Sequence, residues 1–363
     1  MTLTPDNLEL LTRAQGDLRS GLAVVLCDED QGALIASTET LCSDRLVAMQ
    51  AYGPKTTIAI TARRAVTLKT PVYDGDVARI ALPANVDIAW IVAIADPATD
   101  LNYPMKGPLK SLREGCADLH RLAIAITKSA RLLPAAVVSI VADPMGVAQR
   151  YGLTLIQQSY AVSLLKEGRH LMPVTEARLP LSVSERGRLH VFRPDDGGEE
   201  HYAVEIGRPD RSKPVLTRLH SACFTGDVLG SLKCDCGAQL QAALALMGEE
   251  GSGILLYLNQ EGRGIGLANK LRAYSLQDQG FDTVEANHRL GFEDDERDFR
   301  LGSSILKSMG FSTIRLLTNN PAKVDIMVCN GIAVSDRIPL KVGHTEQNRE
   351  YLAVKSKKMG HIL

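Results

Sequence analysis

Residues 253–272 read GILLYLNQEGRGIGLANKLR, an apolar run followed by a glycine-rich loop and a helix-like stretch. The apolar run has the length and composition of a buried strand. Gly262, Gly264 and Gly266 allow a ligand to approach the backbone, and a helix that begins after such a loop favours a phosphate group. A tight structural turn would have the same composition, and the Gly-Lys-Ser/Thr ending of a Walker loop is absent. This strand–loop–helix order is typical of an α/β fold.

Two further patterns lie on either side of this segment. Residues 314–317 form an apolar run that leads into a polar turn, and a helix is expected after it. A strand-to-helix turn that contains Thr318 and Lys323 is a candidate phosphate site. Strand-like runs at 189–192 and 202–206 flank a polar stretch that contains glycine, and they predict a hairpin.

The first half alternates between strand and helix patterns. Residues 21–26 and 90–95 have the composition of buried strands, and apolar spacing predicts a helix over 109–133. A chain of this length exceeds one ordinary core. The composition changes shortly after residue 170. We therefore predict an α/β fold with mixed (α+β) sheets in two domains, 1–172 and 173–363.

Composition and charge argue against several classes of partner. Lys and Arg (41) nearly balance Asp and Glu (42), which argues against broad binding to nucleic acid or to an anionic membrane. No apolar run approaches the roughly 20 residues that span a bilayer, and the first residues lack the pattern of a signal peptide. We therefore expect a cytoplasmic protein. In a reducing compartment, the seven irregularly spaced cysteines are expected to be thiols or metal ligands.

Three of these cysteines, Cys223, Cys234 and Cys236, stand close together in a polar, glycine-containing stretch. Zinc suits three thiolates, and three protein ligands leave a fourth tetrahedral position for water. A structural zinc ribbon would supply four ligands from two knuckles, and the sequence has no second knuckle. Zinc-bound water has a pKa of about 7, so the cluster predicts a hydrolytic site. The alternative is three buried cysteines without a metal, since Cys is often buried.

Charged residues after the glycine-rich loop allow two interpretations each. Glu261 could pair with the N1–H and 2-amino edge of guanine, and Arg263 suits a phosphate group. Either residue could equally belong to a surface salt bridge. Residues 291–299 form an acidic run around Arg297, which is typical of a solvated helix start.

Together, these segments resemble GTP cyclohydrolase II of riboflavin biosynthesis, from residue 176 to residue 361. The motifs that carry the resemblance are Arg218-Leu219-His220-Ser221, Thr225-Gly226-Asp227, Cys234-Asp235-Cys236-Gly237, Gln260-Glu261-Gly262-Arg263, Asp282-Thr283-Val284-Glu285-Ala286-Asn287 and Leu316-Leu317-Thr318-Asn319-Asn320-Pro321. The resemblance implies hydrolysis of GTP at C8 to formate, pyrophosphate and 2,5-diamino-6-(ribosylamino)pyrimidinone 5′-phosphate. It also implies Zn²⁺, Mg²⁺ carried by the triphosphate, and a homodimer.

The resemblance also implies a role for individual residues. Cys223, Cys234 and Cys236 would hold zinc, whose water attacks C8 and then releases formate. Arg297 would be the nucleophile on the α-phosphate and Asp295 the neighbouring proton acceptor, with Tyr274 near the reacting ring. The nucleotide contacts would come from Arg218, Leu219, His220, Ser221, Gln239, Glu261, Gly262, Arg263, Thr283, Thr318 and Lys323.

Two positions depart from the family pattern. Ala222 stands where the family usually has Glu, and Asn259 stands where it usually has Arg. The two losses could compensate for each other, or they could change the substrate or the rate. Two alternatives therefore stay open: a cyclohydrolase paralogue that opens another ring or stops early, and a non-catalytic, zinc-stabilised nucleotide-binding module.

The first half faintly resembles 3,4-dihydroxy-2-butanone 4-phosphate synthase, through Leu18-Arg19 to Asp28-Glu29-Asp30 and through 151–156. The acidic loop of the synthase is replaced here by residues 31–35, and its Gly-His-Thr-Glu motif is missing from this half. We therefore predict that domain 1–172 is a degenerate relative of the synthase. It would have lost the Mg²⁺-dependent chemistry and would serve packing or dimerisation.

Overall fold

The structure is a computed structural model and describes residues 3–349 except 30, 53, 54 and 84. Its contacts divide the chain into two compact units. The first unit combines Met1–Glu167 with Ala268–Glu296, and the second combines Gly168–Leu267 with Arg297–Leu363. The domain boundary at residue 172 stays a prediction, and the two units are described separately below.

The helices that the structure describes are mostly short. They are α1 (Asn7–Arg19), α2 (Ser43–Tyr52), α3 (Ala62–Thr67), α4 (Ile88–Ala95), α5 (Asp118–Ser129), α6 (Pro144–Tyr151), α7 (Gln158–Glu167), α8 (Cys236–Glu250), α9 (Leu267–Asp278), α10 (Thr283–Leu290), α11 (Arg300–Ser308) and α12 (Pro321–Cys329). Among the described residues, none of these helices has the length and apolar character that crossing a membrane requires.

The strands form two separate sheets. They are β1 (Val24–Cys27), β2 (Gly32–Ser37), β3 (Thr57–Thr61), β4 (Val77–Ala81), β5 (Ala135–Val141), β6 (Leu155–Gln157), β7 (Leu171–Arg178), β8 (Gly187–Pro194), β9 (His201–Ile206), β10 (Val215–Ser221), β11 (Gly253–Leu258), β12 (Thr313–Leu317) and β13 (Ala333–Ile338). The predicted α/β class with mixed sheets is confirmed.

The sheet of the first unit has the strand order β4-β3-β5-β2-β1-β6. Its strands pair antiparallel except for β1 and β6, which run parallel. Every residue of β2 is buried, as expected for a central strand that is covered on both faces. Helices α1 and α5 contribute apolar side chains such as Leu18 and Leu122 to this core.

The sheet of the second unit has the order β13-β12-β10-β11-β9-β8-β7. Its first four strands are parallel neighbours, and the last three continue as an antiparallel meander. The carboxyl ends of β10, β11 and β12 therefore lie at one edge of the sheet. In α/β sheets this edge is where ligands bind.

Several local predictions are confirmed. Strands β8 and β9 form the predicted hairpin, with Leu189 opposite Val204. The opening segment folds as β11, a short turn of 3-10 helix at Glu261–Gly264, and α9. The apolar run 314–317 lies in β12, and Lys323 lies on the next helix, α12.

Three other local predictions are wrong at least in part. Residues 90–95 are not a strand but the end of α4, and a run that is apolar throughout carries no periodicity to separate the two. The signal that identifies the helix is Asp87, whose side chain accepts a hydrogen bond from the Trp90 N–H at 2.8 Å. The helix over 109–133 is shorter, since α5 begins at Asp118. The acidic run 291–299 leads into a helix start as predicted, with Asp298 accepting the Arg300 N–H at 2.9 Å, but the run itself is a loop and α11 begins only at Arg300.

A buried group of charges stabilises the first unit around α4. Arg64 donates two hydrogen bonds to Asp100, at 2.6 and 2.9 Å, and Lys106 contacts the same carboxylate. Both cations also donate to the backbone oxygen of Ala93 in the last turn of α4. Burial alone would raise the pKa of Asp100, but the hydrogen bonds from Arg64 and Lys106 outweigh it and lower that pKa.

Replacing Asp100 by Ala should lower the free energy of unfolding of the first unit by about 3–5 kcal/mol, because two buried cations lose their counter-charge. Trp90, the only tryptophan, donates its ring N–H to the backbone oxygen of Lys106, so its fluorescence during urea unfolding reports this region. Asp118→Ala is the matched control, because its pair with Arg121 is exposed and should cost less than about 1 kcal/mol. Equal losses for both variants would contradict the prediction.

The contribution of the Asp100 carboxylate to folding stability should depend on pH. Its folded pKa is lowered, so its contribution is present above the unfolded pKa of about 3.9 and is lost as the pH falls through the folded value. The stability difference between wild type and Asp100→Ala should therefore shrink only in strong acid.

Candidate metal and nucleotide site

The predicted site residues of the second unit follow three neighbouring parallel strands. Ser221 ends β10 and pairs in register with Leu258, which ends β11. The glycine-rich loop follows β11, and the polar turn with Thr318 follows β12. Because β12 also runs parallel to β10, these segments emerge at the same edge of the sheet.

The three predicted metal ligands come together there. The sulfur atoms of Cys223, Cys234 and Cys236 lie within 4.8 Å of one another, and those of Cys223 and Cys234 are 3.7 Å apart. Four-coordinate zinc with Zn–S bonds of about 2.3 Å requires sulfur atoms about 3.8 Å apart. The pKa of the Cys234 thiol is raised, chiefly by its contact with Cys223. Such close thiols are the arrangement that a soft divalent cation would favour.

The absence of a side chain at Gly226 makes room for the three cysteine side chains. A Cβ atom at this position would lie 2.7 Å from the sulfur of Cys234 and 3.1 Å from that of Cys223. A Cβ at Gly237 would lie 2.3 Å from the backbone oxygen of Gly226. The loop and the start of α8 can therefore approach each other only because both positions lack a side chain. This tight arrangement fits a bound metal ion better than three ordinary core cysteines.

The segment after Cys223 is an irregular turn. Phe224–Val228 forms a single π-helical turn, a conformation that is frequent at functional sites. The Phe224 N–H donates to the carboxylate of Glu261 at 2.6 Å, and the same carboxylate accepts from the Gly262 N–H at 3.0 Å. Glu261 thereby ties the glycine-rich loop to the cysteine loop. Its predicted pairing with guanine stays a prediction.

Asp227 links the metal cluster to the sheet. Its carboxylate accepts hydrogen bonds at 3.0 Å from the backbone N–H of Cys223, from Nε2 of His220 and from the hydroxyl of Tyr257. The rings of His220 and Tyr257 stack with their centres 5.6 Å apart. The proximity of Asp227 adds to burial in raising the pKa of Tyr257, so that hydroxyl stays protonated. This carboxylate fixes the backbone that carries the first cysteine.

The sequence analysis quoted Asp227 within a motif but gave it no role. The signal that could have found it is an acidic residue four positions after a metal-ligand candidate, on the same loop. Its partners His220 and Tyr257 belong to two different strands, and nothing local in the sequence connects them.

His220 is buried and neutral. Burial lowers its pKa, and the pull of Asp227 toward the charged form only partly offsets this. Since Nε2 donates to Asp227, Nδ1 is the acceptor nitrogen of the ring. Within the described part of the chain, Nδ1 is buried and has no hydrogen-bond partner. It can therefore accept a hydrogen bond from a bound molecule.

Cations surround the end of β10. Arg218 is buried and donates to the backbone oxygen of Leu317 at 3.0 Å and to the side chain of Gln239. Burial lowers the pKa of Arg218 to about 10, which leaves it charged at neutral pH. Lys323 is also buried and donates to the backbone oxygen of Leu219 at 2.9 Å. The side chain of Leu219 lies in the core, so only its backbone can serve the site.

Arg297 is a third cation near the end of β10. It is the residue at which the chain re-enters the second unit. Its guanidinium donates to the hydroxyl of Ser221 at 3.3 Å. Arg297 and Lys323 both lie against the ring of Phe299, with their charged groups 4.7 and 4.9 Å from its centre. Three cations close to one strand end are suited to a polyphosphate.

Two other predicted contact residues lie in the turns that follow β11 and β12. Arg263 has a positive φ of 63°, a sparsely populated conformation for a residue with a side chain. The hydroxyl of Thr318 accepts the Asn320 N–H at 3.0 Å and shapes the turn before α12. A role in nucleotide binding for either residue stays a prediction.

The remaining predicted residues belong to the first unit. Tyr274 lies on α9, with the ammonium of Lys270 5.7 Å from its ring centre. Thr283 is the first residue of α10 and its hydroxyl accepts a hydrogen bond from Gln277 at 3.0 Å. Asp295 lies on the loop between α10 and α11.

The two departures from the family pattern occupy facing positions. Ala222 and Asn259 each follow a member of the register pair Ser221–Leu258, and the Ala222 N–H donates to the Leu258 oxygen at 2.8 Å. Asn259 donates its side-chain amide to the backbone oxygen of Glu200. Neighbouring strands are about 4.8 Å apart, so a Glu and an Arg at these positions would start from adjacent backbone sites. Compensation between the two losses stays a prediction.

Comparison with known proteins gives consistent results for the second half. A family model described as GTP cyclohydrolase II matches residues 172–339. The chain is 41% identical to the GTP cyclohydrolase-2 of Azospirillum brasilense, over 98% of this chain and 94% of that protein. It is 57% identical to the GTP cyclohydrolase-2 of Escherichia coli (strain K12 / DH10B), over 53% of this chain and 98% of that protein.

One solved structure is similar over most of the chain's length. A two-domain 3,4-dihydroxy-2-butanone 4-phosphate synthase from A. baumannii covers 93% of this chain and 100% of its own, with a TM-score of 0.33 and 14% identity. A likeness at that level carries no conclusion, so the predicted relation of the first half to this synthase stays a prediction.

Replacing Asp227 by Asn should weaken binding of Zn²⁺ by about 10–100-fold, because the loop that presents Cys223 loses its charged acceptor. Competition with a chromophoric chelator measures the affinity directly. Asp210→Asn is the matched control, since this carboxylate of the same unit is exposed, accepts hydrogen bonds from Ser212 and pairs with the exposed Lys213 at 3.8 Å. An unchanged affinity in Asp227→Asn would show that the carboxylate does not position the cluster.

Proposed function

Because this chain belongs to the GTP cyclohydrolase II family, we propose that it hydrolyses GTP to 2,5-diamino-6-(ribosylamino)pyrimidinone 5′-phosphate, formate and pyrophosphate. The observation that carries the proposal is the convergence of three thiols at the sheet edge, within the electrostatic reach of the buried cation Arg218. A metal site and a cationic site side by side suit a substrate that has both a ring to be opened and a polyphosphate.

The cysteine cluster would hold Zn²⁺ through Cys223, Cys234 and Cys236. Bound there, the ion would supply hydroxide at neutral pH for attack on C8 of the guanine ring. Three protein ligands are typical of catalytic zinc, because they leave a coordination position open. Asp227 would keep the first ligand in place through the Cys223 N–H.

The phosphate groups would be bound by Arg218 and Lys323. Both cations are buried and are held by backbone oxygens, so they are oriented before the substrate arrives. A buried cation gains more from an incoming phosphate than an exposed one, because less solvent screens the pair. Mg²⁺ would accompany the triphosphate, since this ion keeps most of its water and binds through phosphates.

The base would be recognised by Glu261, which would exchange the Phe224 N–H for the guanine edge. Arg297 as nucleophile on the α-phosphate, Asp295 as proton acceptor and Tyr274 near the ring are roles that we infer from the family. Arg297 donates a hydrogen bond to Ser221, as expected of a protonated guanidinium. Its nucleophilic role therefore requires that the proton be removed, for which Asp295 is the candidate.

We also propose a homodimer, a cytoplasmic location and no nucleic-acid partner. The homodimer is inferred from the family. The nearly balanced charge of the chain supports the absence of a nucleic-acid partner.

The decisive experiment is incubation with GTP and Mg²⁺, with and without a chelator, while formate, pyrophosphate and the pyrimidine product are measured. Equal release of formate and pyrophosphate that stops with the chelator is the expected result. Accumulation of a formylated intermediate would favour the paralogue that stops early. Unchanged GTP would exclude the proposed reaction.

Replacing Cys234 by Ser should lower turnover by more than about a hundredfold, because the metal that supplies hydroxide is lost. The far-ultraviolet circular dichroism should stay that of the wild type. Cys329→Ser is the control, since Cys329 is exposed at the end of α12. A variant at Cys234 that no longer folds would instead support the zinc-stabilised binding module.

The facing positions 222 and 259 give a double-mutant test. Ala222→Glu alone should raise KM for GTP by about fivefold, because a carboxylate without a partner stands near the triphosphate. The double variant Ala222→Glu/Asn259→Arg should recover, since the pair is complete again. Identical kinetics for the single and the double variant would mean that the two positions do not compensate.

A further inference from the structure

We propose that the first half of the chain positions the catalytic segment Ala268–Glu296. This segment carries Tyr274, Thr283 and Asp295, and in the structure it packs into one unit with Met1–Glu167. Arg63, Lys128 and the surface around Gly291 would be the positioning elements. The inference rests on the proposed function, because the roles of the three carried residues come from there.

One group of contacts surrounds Asp295. The ammonium of Lys128 lies 2.6 Å from the carboxylate of Glu296, the next residue in the chain. The same carboxylate accepts the Glu293 N–H at 3.0 Å, which closes a turn around Asp295. Arg63 donates to the carboxylate of Glu293 at 2.9 Å. Two cations of the first half therefore hold the turn that presents the proton acceptor, and Arg297 follows it after one residue.

Gly291 begins this loop in direct contact with the first half. It ends α10 with a φ of +91°, and a Cβ atom here would lie 2.7 Å from the hydroxyl of Thr61 and 2.9 Å from Cγ of Pro134. The next residue, Phe292, is fully buried, and Lys128 lies 6.0 Å from its ring centre. The backbone thus approaches the first half more closely than any residue with a side chain would allow.

Helix α9 and the loop after it are also held by the first half. Arg272 donates to the carboxylates of Glu39, at 3.0 Å, and Asp96, at 3.1 Å. The side chain of Asn269 donates to the backbone oxygen of Arg131 at 3.2 Å. Gln279 donates to the backbone oxygen of Ala98, also at 3.2 Å. The anchors therefore extend over the whole segment, on either side of Tyr274.

We expect the loss of an anchor to lower the catalytic rate more than the stability of the protein. The exposed pair Arg63–Glu293 contributes about 0–1 kcal/mol to stability, so its loss should change the stability little. A displacement of about 1 Å at a catalytic group, however, can cost about a hundredfold in rate. The phosphate-binding cations Arg218 and Lys323 belong to the second unit, so binding of the triphosphate should change little. Relatives that match only the second half lack these anchors. We therefore expect that variants of this chain with a disturbed anchor are slower but not inactive.

The test compares two glycine variants of the full-length chain. Gly291→Ala should lower kcat for formate release by about tenfold, because its Cβ pushes the segment away from Thr61 and Pro134. Gly280→Ala is the matched control: it lies in the same segment with a φ of +97°, and among the described residues no atom would come within 4 Å of its Cβ. Both variants carry the same backbone strain, so their difference reports the contact.

KM for GTP and the zinc content should stay within about twofold of wild type in both variants, because the residues that would bind phosphate and metal are unchanged. A purely structural role would lower the melting temperature and the amount of active enzyme without this split between kcat and KM. Equal kcat values for Gly291→Ala and Gly280→Ala would overturn the inference.

A charge swap covers the case in which Gly291→Ala does not fold. Arg63 and Glu293 are both exposed, so we expect substitutions there to leave the fold intact. Arg63→Glu should lower kcat by about threefold through repulsion with Glu293, and Arg63→Glu/Glu293→Arg should restore it. No effect of the single variant, or no recovery in the double, would overturn the inference. If wild type itself released no formate, the proposed function would fail, and the inference would fail with it.

Discussion

The parallel pairing of β10 with β11 and β12 is the constraint on which the chemistry of the second unit depends. Parallel strands end at the same edge, so the cysteine loop, the glycine-rich loop and the polar turn before α12 meet although they are distant in sequence. No single segment could supply thiols, carboxylate and cations at one place. The register Ser221–Leu258 also sets which residues of two loops face each other.

At that edge, charge is concentrated before any ligand arrives. Burying Arg218 and Lys323 has a desolvation cost, and hydrogen bonds to the oxygens of Leu317 and Leu219 offset part of it. Phosphate groups of the proposed substrate would add negative charge beside both cations. In the proposed phosphate site, burial of these cations would lower the stability of the empty protein and raise its affinity for the substrate. The carboxylate of Asp227 differs from these cations, because hydrogen bonds from three donors of the same unit compensate for its burial.

Local patterns in the sequence predict much of the fold and part of the candidate site. The hairpin β8–β9 and the segment from β11 to α9 follow from period and glycine positions, which are local signals. The helical state of residues 90–95 was missed because an apolar run has no period, although Asp87 offered a capping signal. Close spacing predicted the cysteine cluster. The role of Asp227 and the packing of Gly291 against Thr61 could not be predicted, because both depend on contacts between distant parts of the chain.

The return of the chain to the first unit for Ala268–Glu296 has a consequence for biosynthesis. Domains fold as units and from the N-terminus during translation, so the surface that receives this segment is complete before the segment is made. The first half is therefore synthesised before the segment Ala268–Glu296 that packs against it. If the gene order of the two halves were reversed, the segment would leave the ribosome before the surface that it packs against.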